Sequence, residues 1–271
     1  WRVAGMLQML PCRHHKGDAG HLLVVGGALG MSGAVCLAGE AALRVGAGLV
    51  SVATRAEHAA YLNAGCPELM VNGIETGSDL SALLQRATAV VVGPGLGLES
   101  WGRDLLSRVQ EIELPLVVDA DGLNLLSEQP TTAANWILTP HPGEAARLLD
   151  GSTREVQRNR LGAVRGIQER YGGVCTLKGA GTLIATPNGS LSICNRGNPG
   201  MASAGMGDLL SGVIGSLLAQ GLDLGEAAKC GAWLHSAAAD LAAADGERGM
   251  IARDLLPSLR RLVDNPAAAD E

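Results

Sequence analysis

The sequence predicts an α/β fold with a mostly parallel central sheet flanked by helices on both faces. Three observations predict it. Short apolar runs alternate with segments of helical spacing along most of the chain, the pattern of strand–helix–strand crossovers that place neighbouring strands parallel. Apolar runs lead straight into glycine-rich turns, which is where an open parallel sheet binds its ligands. Hydrophobic residues make up 47% of the 271 residues and aromatics only 2%, with no Phe, so packing must rest on Ala, Leu, Val and 38 glycines. That composition suits close contact between helices and a sheet. No linker or internal repeat interrupts the pattern, and a single domain over 1–271 is the simplest architecture.

The elements follow in order. Residues 1–20 are polar and irregular, with His14, His15, Lys16, Gly17 and Asp18, and read as a solvated leader or a substrate-facing flap. A strand over 21–25 runs into Gly26-Gly27. A helix over 32–45 starts at Ser32 and ends at Gly46 and Gly48. A strand over 49–53 completes the first crossover. Short helices are predicted over 57–64 and 79–86, and a buried strand over 89–92. The apolar periodicity of 101–110 predicts an amphipathic helix. Strands over 116–118 and 136–138 follow, with short helices over 124–127 and 144–149. A long helix is predicted over 153–171, carrying Arg and Gln on its outer face. Strands over 174–178 and 182–185 flank the turn Gly179-Ala180-Gly181. Pro187-Asn188-Gly189 turns the chain back into a strand over 191–194. Helices over 208–219, 225–244 and 252–263 close the domain, and 264–271 reads as a frayed tail.

Charge and cysteine usage exclude several classes of function. The net charge is −6, with no basic stripe to neutralise nucleic-acid phosphates. Apolar stretches are broken by Gly, Arg or Glu and none reaches membrane-spanning length. No signal peptide is visible. The six cysteines, Cys12, Cys36, Cys66, Cys175, Cys194 and Cys230, show no CxxC spacing, which argues for reduced thiols in a cytoplasmic protein and against a zinc knuckle. The start at Trp1 rather than Met raises the expectation of a preceding segment.

The most informative stretch is 195–215. Glycines and other small residues fill 197–207, then Asp208 precedes an apolar run. This reads as a loop closing into a helix, whose first N–H groups and dipole form an anion site suited to phosphate. Asp208 is a helix cap on the bland reading. A carboxylate beside a phosphate site makes chemical sense as a base for a substrate hydroxyl, or as a metal contact. Lys178 precedes Gly179, Ala180, Gly181 and Thr182, and its ammonium suits phosphate; this is not a Walker motif. His141 lies between Pro140 and Pro142, held stiffly at a strand end as a ligand contact, with Glu144 as a helix cap. Gly93-Pro94-Gly95-Leu96-Gly97 reads as a tight turn or as backbone set against phosphate or ribose. Asp121 reads as a cap of the helix that follows, and either Asp119 or Asp121 as a contact to substrate or to magnesium-bound water. The glycines at 26, 27, 30 and 33 do not form G-x-G-x-x-G and no acidic residue ends the next strand, which argues against a dinucleotide-binding oxidoreductase. The turn instead lets a ligand approach Ala34.

These loops, in this order, resemble the ADP-dependent NAD(P)H-hydrate dehydratases, a branch of the ribokinase-like superfamily. The matching stretches are HKGDAGHLLVVGGALGMSGA (15–34), AGEAALRVGAGLVSVAT (38–54), VVGPGLG (91–97), VDADGLNLL (118–126), ILTPHPGEAARLL (137–149), TLKGAGTLIA (176–185) and NRGNPGMASAGMGDLLSGVIGSLLAQG (195–221). The resemblance implies ADP-dependent dehydration of the S epimer of hydrated NADH and NADPH (NADHX and NADPHX), by phosphorylation of the ring hydroxyl and loss of phosphate. ADP, with ATP as the alternative, is the implied phosphoryl donor, with Mg²⁺. By the same resemblance Asp208 is the base. Gly205 and Gly207 form the anion hole. Lys178, Gly179, Ala180, Gly181, Thr182 and Gly207 hold the nucleotide, and Ala34, Gly97, His141 and Asp208 contact the hydrate. No metal ligand is implied on the protein. A homo-oligomer, with a tetramer favoured, and an epimerase domain in the full-length chain are also implied. One departure stands out. The family usually reads Ala-Thr-Gly-Gly-Thr-Gly-Asp, and Met206 here takes the place of the second threonine, removing a hydroxyl near the phosphates. Two alternatives stay open: a small-molecule kinase of the same fold, and a non-catalytic nucleotide-binding protein.

Overall fold

The computed structural model describes residues 19–270. The leader or flap expected in the first twenty residues therefore falls almost wholly outside the described residues. The chain runs β1 (His21–Val25), α1 (Ser32–Arg44), β2 (Leu49–Thr54), α2 (Ala56–Ala59), β3 (Met70–Gly73), α3 (Ser81–Leu84), β4 (Ala89–Val92), α4 (Ser100–Gln110), β5 (Leu116–Val118) and α5 (Ala120–Glu128). It continues through β6 (Trp136–Leu138), α6 (Pro142–Leu148), α7 (Thr153–Arg158), α8 (Arg160–Tyr171), β7 (Val174–Leu177), β8 (Leu183–Ala185), β9 (Leu191–Ile193), α9 (Met206–Ala219), α10 (Leu224–Ala242) and α11 (Leu256–Asp264). The nine strands form one sheet in the order β3-β2-β1-β4-β5-β6-β7-β8-β9. Every pairing from β3 to β7 is parallel, and β8 and β9 add to the edge as antiparallel strands. The expected α/β architecture is therefore present, with helices on both faces.

Alternation along the strands explains the two layers. Leu22, Val24, Val50, Val52 and Val91 point to one face, where they are buried with α1, α9, α10 and α11. Leu23, Val25, Val90, Val92 and Val118 point to the other, under α4, α5 and α8. With no Phe available, close approach replaces bulk. A Cβ on Gly212 of α9 would lie 1.9 Å from the Ala38 carbonyl oxygen of α1, so this crossing exists only because position 212 lacks a side chain. No helix among the described residues is long and apolar enough to cross a membrane.

Three expectations are corrected. The edge strand β3 was not expected: Met-Val-Asn-Gly is short, half-buried and ends on glycine, so it carries almost no apolar signal. The helix expected over 153–171 is two helices. Asn159 leaves the helical region at φ −140° and ψ 67°, and its side chain accepts from the Gly162 N–H to start α8 afresh. The tail is not frayed, since Pro266–Asp270 forms a 3-10 turn, Ala268 is fully buried and Arg196 donates to the Ala269 carbonyl.

Candidate active site

The site lies beyond the C-terminal ends of β4 to β7. Gly93 ends β4 at φ +124°, and a Cβ there would sit 1.8 Å from the Asp119 carbonyl oxygen, so glycine lets the β4 and β5 loops touch. Ala120 takes the left-handed φ of 46°, a strained choice for alanine, and turns β5 directly into α5. Asp119 is left at the junction, 1% exposed.

Asp119 and Asp121 do not cap α5, which has no side-chain cap. Asp119 Oδ1 lies 2.6 Å from Lys178 Nζ, and Oδ2 accepts from the Ser211 hydroxyl at 2.6 Å. Asp121 Oδ2 accepts from the Gly97 N–H at 2.9 Å. Lys178 also lies 3.8 Å from Glu144 Oε2. Burial works against its charge, but Asp119 and Glu144 outweigh it and hold the ammonium above its ordinary value. Glu144 is pushed up to about 7 by burial, with Lys178 opposing and Asp119 adding to the rise.

His141 does two jobs. It is the N-cap of α6: its Nδ1 accepts from the Gly143 and Glu144 N–H groups at 2.9 and 3.3 Å, and Glu144 returns a bond to the His141 N–H. With Nδ1 accepting, a neutral ring carries its proton on Nε2, which faces Glu144 Oε1 at 3.3 Å. Burial, then Lys178, lowers its pKa. Its half-exposed ring nevertheless lines the cavity described next. Glu144 caps α6 as expected, and it also faces Lys178.

Helix α9 begins as the glycine-rich stretch predicts. Its cap is Gly205 at φ +85°, with no side-chain cap bond. A Cβ on Gly205 would meet Leu37 of α1 at 2.5 Å. Asp208 is therefore not tying off its own helix. It is partly exposed in the first turn. Burial, then the charge of Asp119, pushes its carboxyl up to about 6, with Lys178 opposing and Asp121 adding to the rise.

A cavity of about 750 Å³ opens beside this turn. Lys178, Gly179, Ala180, Gly181 and Thr182 form one wall, residues of the 195–203 loop another, and Gly207 part of the floor. Arg160 of α8 braces the first wall by donating to the Ala180 carbonyl. A Cβ on Gly207 would lie 3.3 Å from Lys178 Nζ, so glycine keeps the ammonium within reach of the cavity. Met206 is buried in the same lining. The expected nucleotide contacts are thus brought together.

Ala34, Gly97, Gly205 and Asp208 do not line this cavity. Gly207 lines the cavity; successive helical residues point about 100° apart, and Asp208 lies off that lining, within the field of Asp119, Lys178 and Asp121. Ala34 packs beside the 93–97 turn, since a Cβ on Gly95 would meet Ala34 Cβ at 3.2 Å. Gly97, in the same turn, is tied to Asp121. The sequence reading missed His235 of α10, which is 5% exposed and lines the cavity. Burial, then Lys178, lowers its pKa to about 4. An alanine-rich helix gives no local signal for it. The ion pair between Asp119 and Lys178 was also missed.

Comparison with known proteins bears on what such a site does. The family described as NAD(P)H-hydrate dehydratase matches residues 22–261. A Coxiella burnetii bifunctional NAD(P)H-hydrate repair enzyme is 54% identical over 264 residues, covering 96% of this chain and 54% of that protein. An ADP-dependent (S)-NAD(P)H-hydrate dehydratase of Neisseria meningitidis is 43% identical over 259 residues, covering 92% of this chain and 86% of that protein. A Bacillus subtilis ADP/ATP-dependent NAD(P)H-hydrate dehydratase, co-crystallised with ATP and Mg²⁺, superposes with a TM-score of 0.87 at 28% identity, covering 96% of this chain and 94% of that one. The chain spans about half the length of the bifunctional relatives it matches.

Proposed function

The chain belongs to the NAD(P)H-hydrate dehydratase family, and from that premise we propose that it restores NADH and NADPH from their S-hydrates at the expense of ADP. The observation that carries this reading is Asp208. It is a partly buried carboxylate with a raised pKa, beside a helix N-terminus and not engaged in capping. A base near the working pH is the most effective proton acceptor.

The cavity takes the nucleotide, with its phosphates against Gly207 and the free N–H groups that begin α9. Lys178 and the 179–182 loop hold it, and the hydrate lies across Ala34, Gly97 and His141. Asp208 takes the proton from the ring hydroxyl. The oxygen so freed attacks the terminal phosphorus of ADP, and AMP leaves. Phosphate then departs with the carbon–oxygen bond, and a proton is lost from the adjacent ring carbon to restore the double bond. The protein supplies mainly position and charge. On this reading the N–H groups of Gly205 and Gly207 take the transferring group, and the bare Gly207 leaves the turn open on the cavity side.

Among the described residues no group of three or more His, Cys, Asp or Glu side chains is placed to hold a metal, and both Asp119 oxygens are engaged. On this reading Mg²⁺ arrives on the nucleotide, held mainly through the phosphates, which is the usual habit of this cation. When bound it neutralises charge on the phosphates. On the same reading the chain assembles as a homo-tetramer.

The test is a repair assay following the absorbance of reduced nicotinamide from NADHX and NADPHX, with ADP and ATP run in parallel. Wild type recovers it with ADP, and Asp208→Asn loses at least about 100-fold in rate. Full recovery by Asp208→Asn, or a stable phosphorylated product in place of NADH, counts against the reading.

A further inference from the structure

Asp119 is not itself among the residues proposed to contact either substrate, yet it is the most thoroughly buried carboxylate at the site, 1% exposed. It stands where β5 ends, beneath Gly207, and a Cβ on that glycine would lie 3.7 Å from its Oδ2. One oxygen takes Lys178 Nζ and the other the Ser211 hydroxyl, both at 2.6 Å. These two partners come from different elements, the end of β7 and the second turn of α9. The Ser211 hydroxyl also lies 3.1 Å from the Gly207 carbonyl oxygen. Asp119 therefore pins the wall that carries the ammonium to the helix that carries the base. A lysine at a phosphate site normally acts as a mobile point charge; here its reach is fixed before any ligand arrives.

We propose that Asp119 is a positioning residue for phosphoryl transfer, one that anchors Lys178 under the anion turn and keeps a fixed negative charge behind Asp208. The proposal rests on the reading of the site given above. The charged groups that face Asp208 are Asp119, Lys178 and Asp121. Glu144 faces Lys178 and Asp119 from α6, and His141 and His235 lie within the field of Lys178. Two substitutions then act on Asp208 with opposite sign. Asp119→Asn removes a repelling charge and frees Lys178 to approach, so the carboxylate forms at lower pH. Lys178→Gln removes the cation that, among the described residues, opposes the rise, so it forms at higher pH.

The experiment is the pH profile of kcat/KM for NADHX at saturating ADP, with melting temperature and ADP affinity measured alongside. For Asp119→Asn the acidic limb moves down by at least half a pH unit. kcat falls tenfold or more while KM for ADP changes by less, and the protein melts within a few degrees of wild type. For Lys178→Gln the limb moves up and ADP affinity falls. Limbs that stay at the wild-type position in both variants, or move in the same direction in both, overturn the proposal. So does an Asp119→Asn variant whose only change is its melting temperature. Should Asp119→Asn not fold, Ser211→Ala, which removes the other partner of Asp119, decides in its place: kcat falls more than KM for ADP changes, and an unchanged kcat overturns the proposal. Wild type that binds ADP but turns over no hydrate sinks the functional reading instead, which is a different result from active protein with unmoved limbs.

Discussion

At the scale of single residues, the field around Asp208 has a cost in stability. Its carboxyl is pushed from 3.8 up to about 6 in the folded chain, by burial first and Asp119 second. The folded state thus holds the proton more tightly than the unfolded state does, and stability falls as pH rises from about 4 through 6. The same change that abolishes activity should therefore stabilise the protein. Asp208→Asn is expected to gain about 1–2 kcal/mol at pH 7, the shift being discounted because the group is partly exposed, with the gain vanishing below about pH 4. Chemical denaturation at the two pH values checks this, and equal stability at pH 7 contradicts it. Asp208 and Lys178 were legible in the sequence because glycines frame them. Asp119 was visible as an acid, but its partner lies 59 residues away, and only the sheet order brings the ends of β5 and β7 to one place. His141 was legible as a cavity residue, and its capping bonds were not, because the expectation assigned the cap to Glu144 alone.

At the scale of elements, what was legible follows burial. Wholly buried strands such as Ala89–Val92 and Leu116–Val118 stand out as apolar runs. Met70–Gly73 does not, since it pairs along one side only, with β2. Helix α5 starts at Ala120 rather than 124, because its first turn, Ala-Asp-Gly, has no apolar face to announce it. The break between α7 and α8 depends on one asparagine side chain, and periodicity runs across it unaltered. The crossing of α1 and α9 makes a sharp prediction. Gly212→Ala improves helix propensity by about 1 kcal/mol. The new methyl would sit 1.9 Å from the Ala38 carbonyl oxygen, and overpacking of this kind costs about 1–3 kcal/mol. Backbone is harder to displace than a side chain, so a net loss of stability is expected in thermal unfolding. A gain would show that the helices can part freely.

At the scale of the whole molecule, the candidate site lies beyond the C-terminal ends of the strands. Helix α9, which carries Asp208, packs on α1, α10 and β4, so order at its first turn is shared with much of one layer. ADP at 100 times its Kd should raise unfolding free energy by about 2.7 kcal/mol. Lys178→Gln should lose most of that protection at the same ADP concentration, as read by thermal shift. Undiminished protection would remove the nucleotide from the Lys178 wall. The order β3 to β9 was not legible, since strand order depends on which crossovers pass over which face, and local sequence does not encode that.

The rotation from Gly207 to Asp208 within one helical turn has a kinetic consequence. On the proposed reading the nucleotide sits on the Gly207 side of this turn and the hydrate on the Asp208 side, so neither need wait for the other to bind or leave. Initial-rate plots at varied concentrations of both substrates should give intersecting lines, the signature of a ternary complex, with either partner free to bind first.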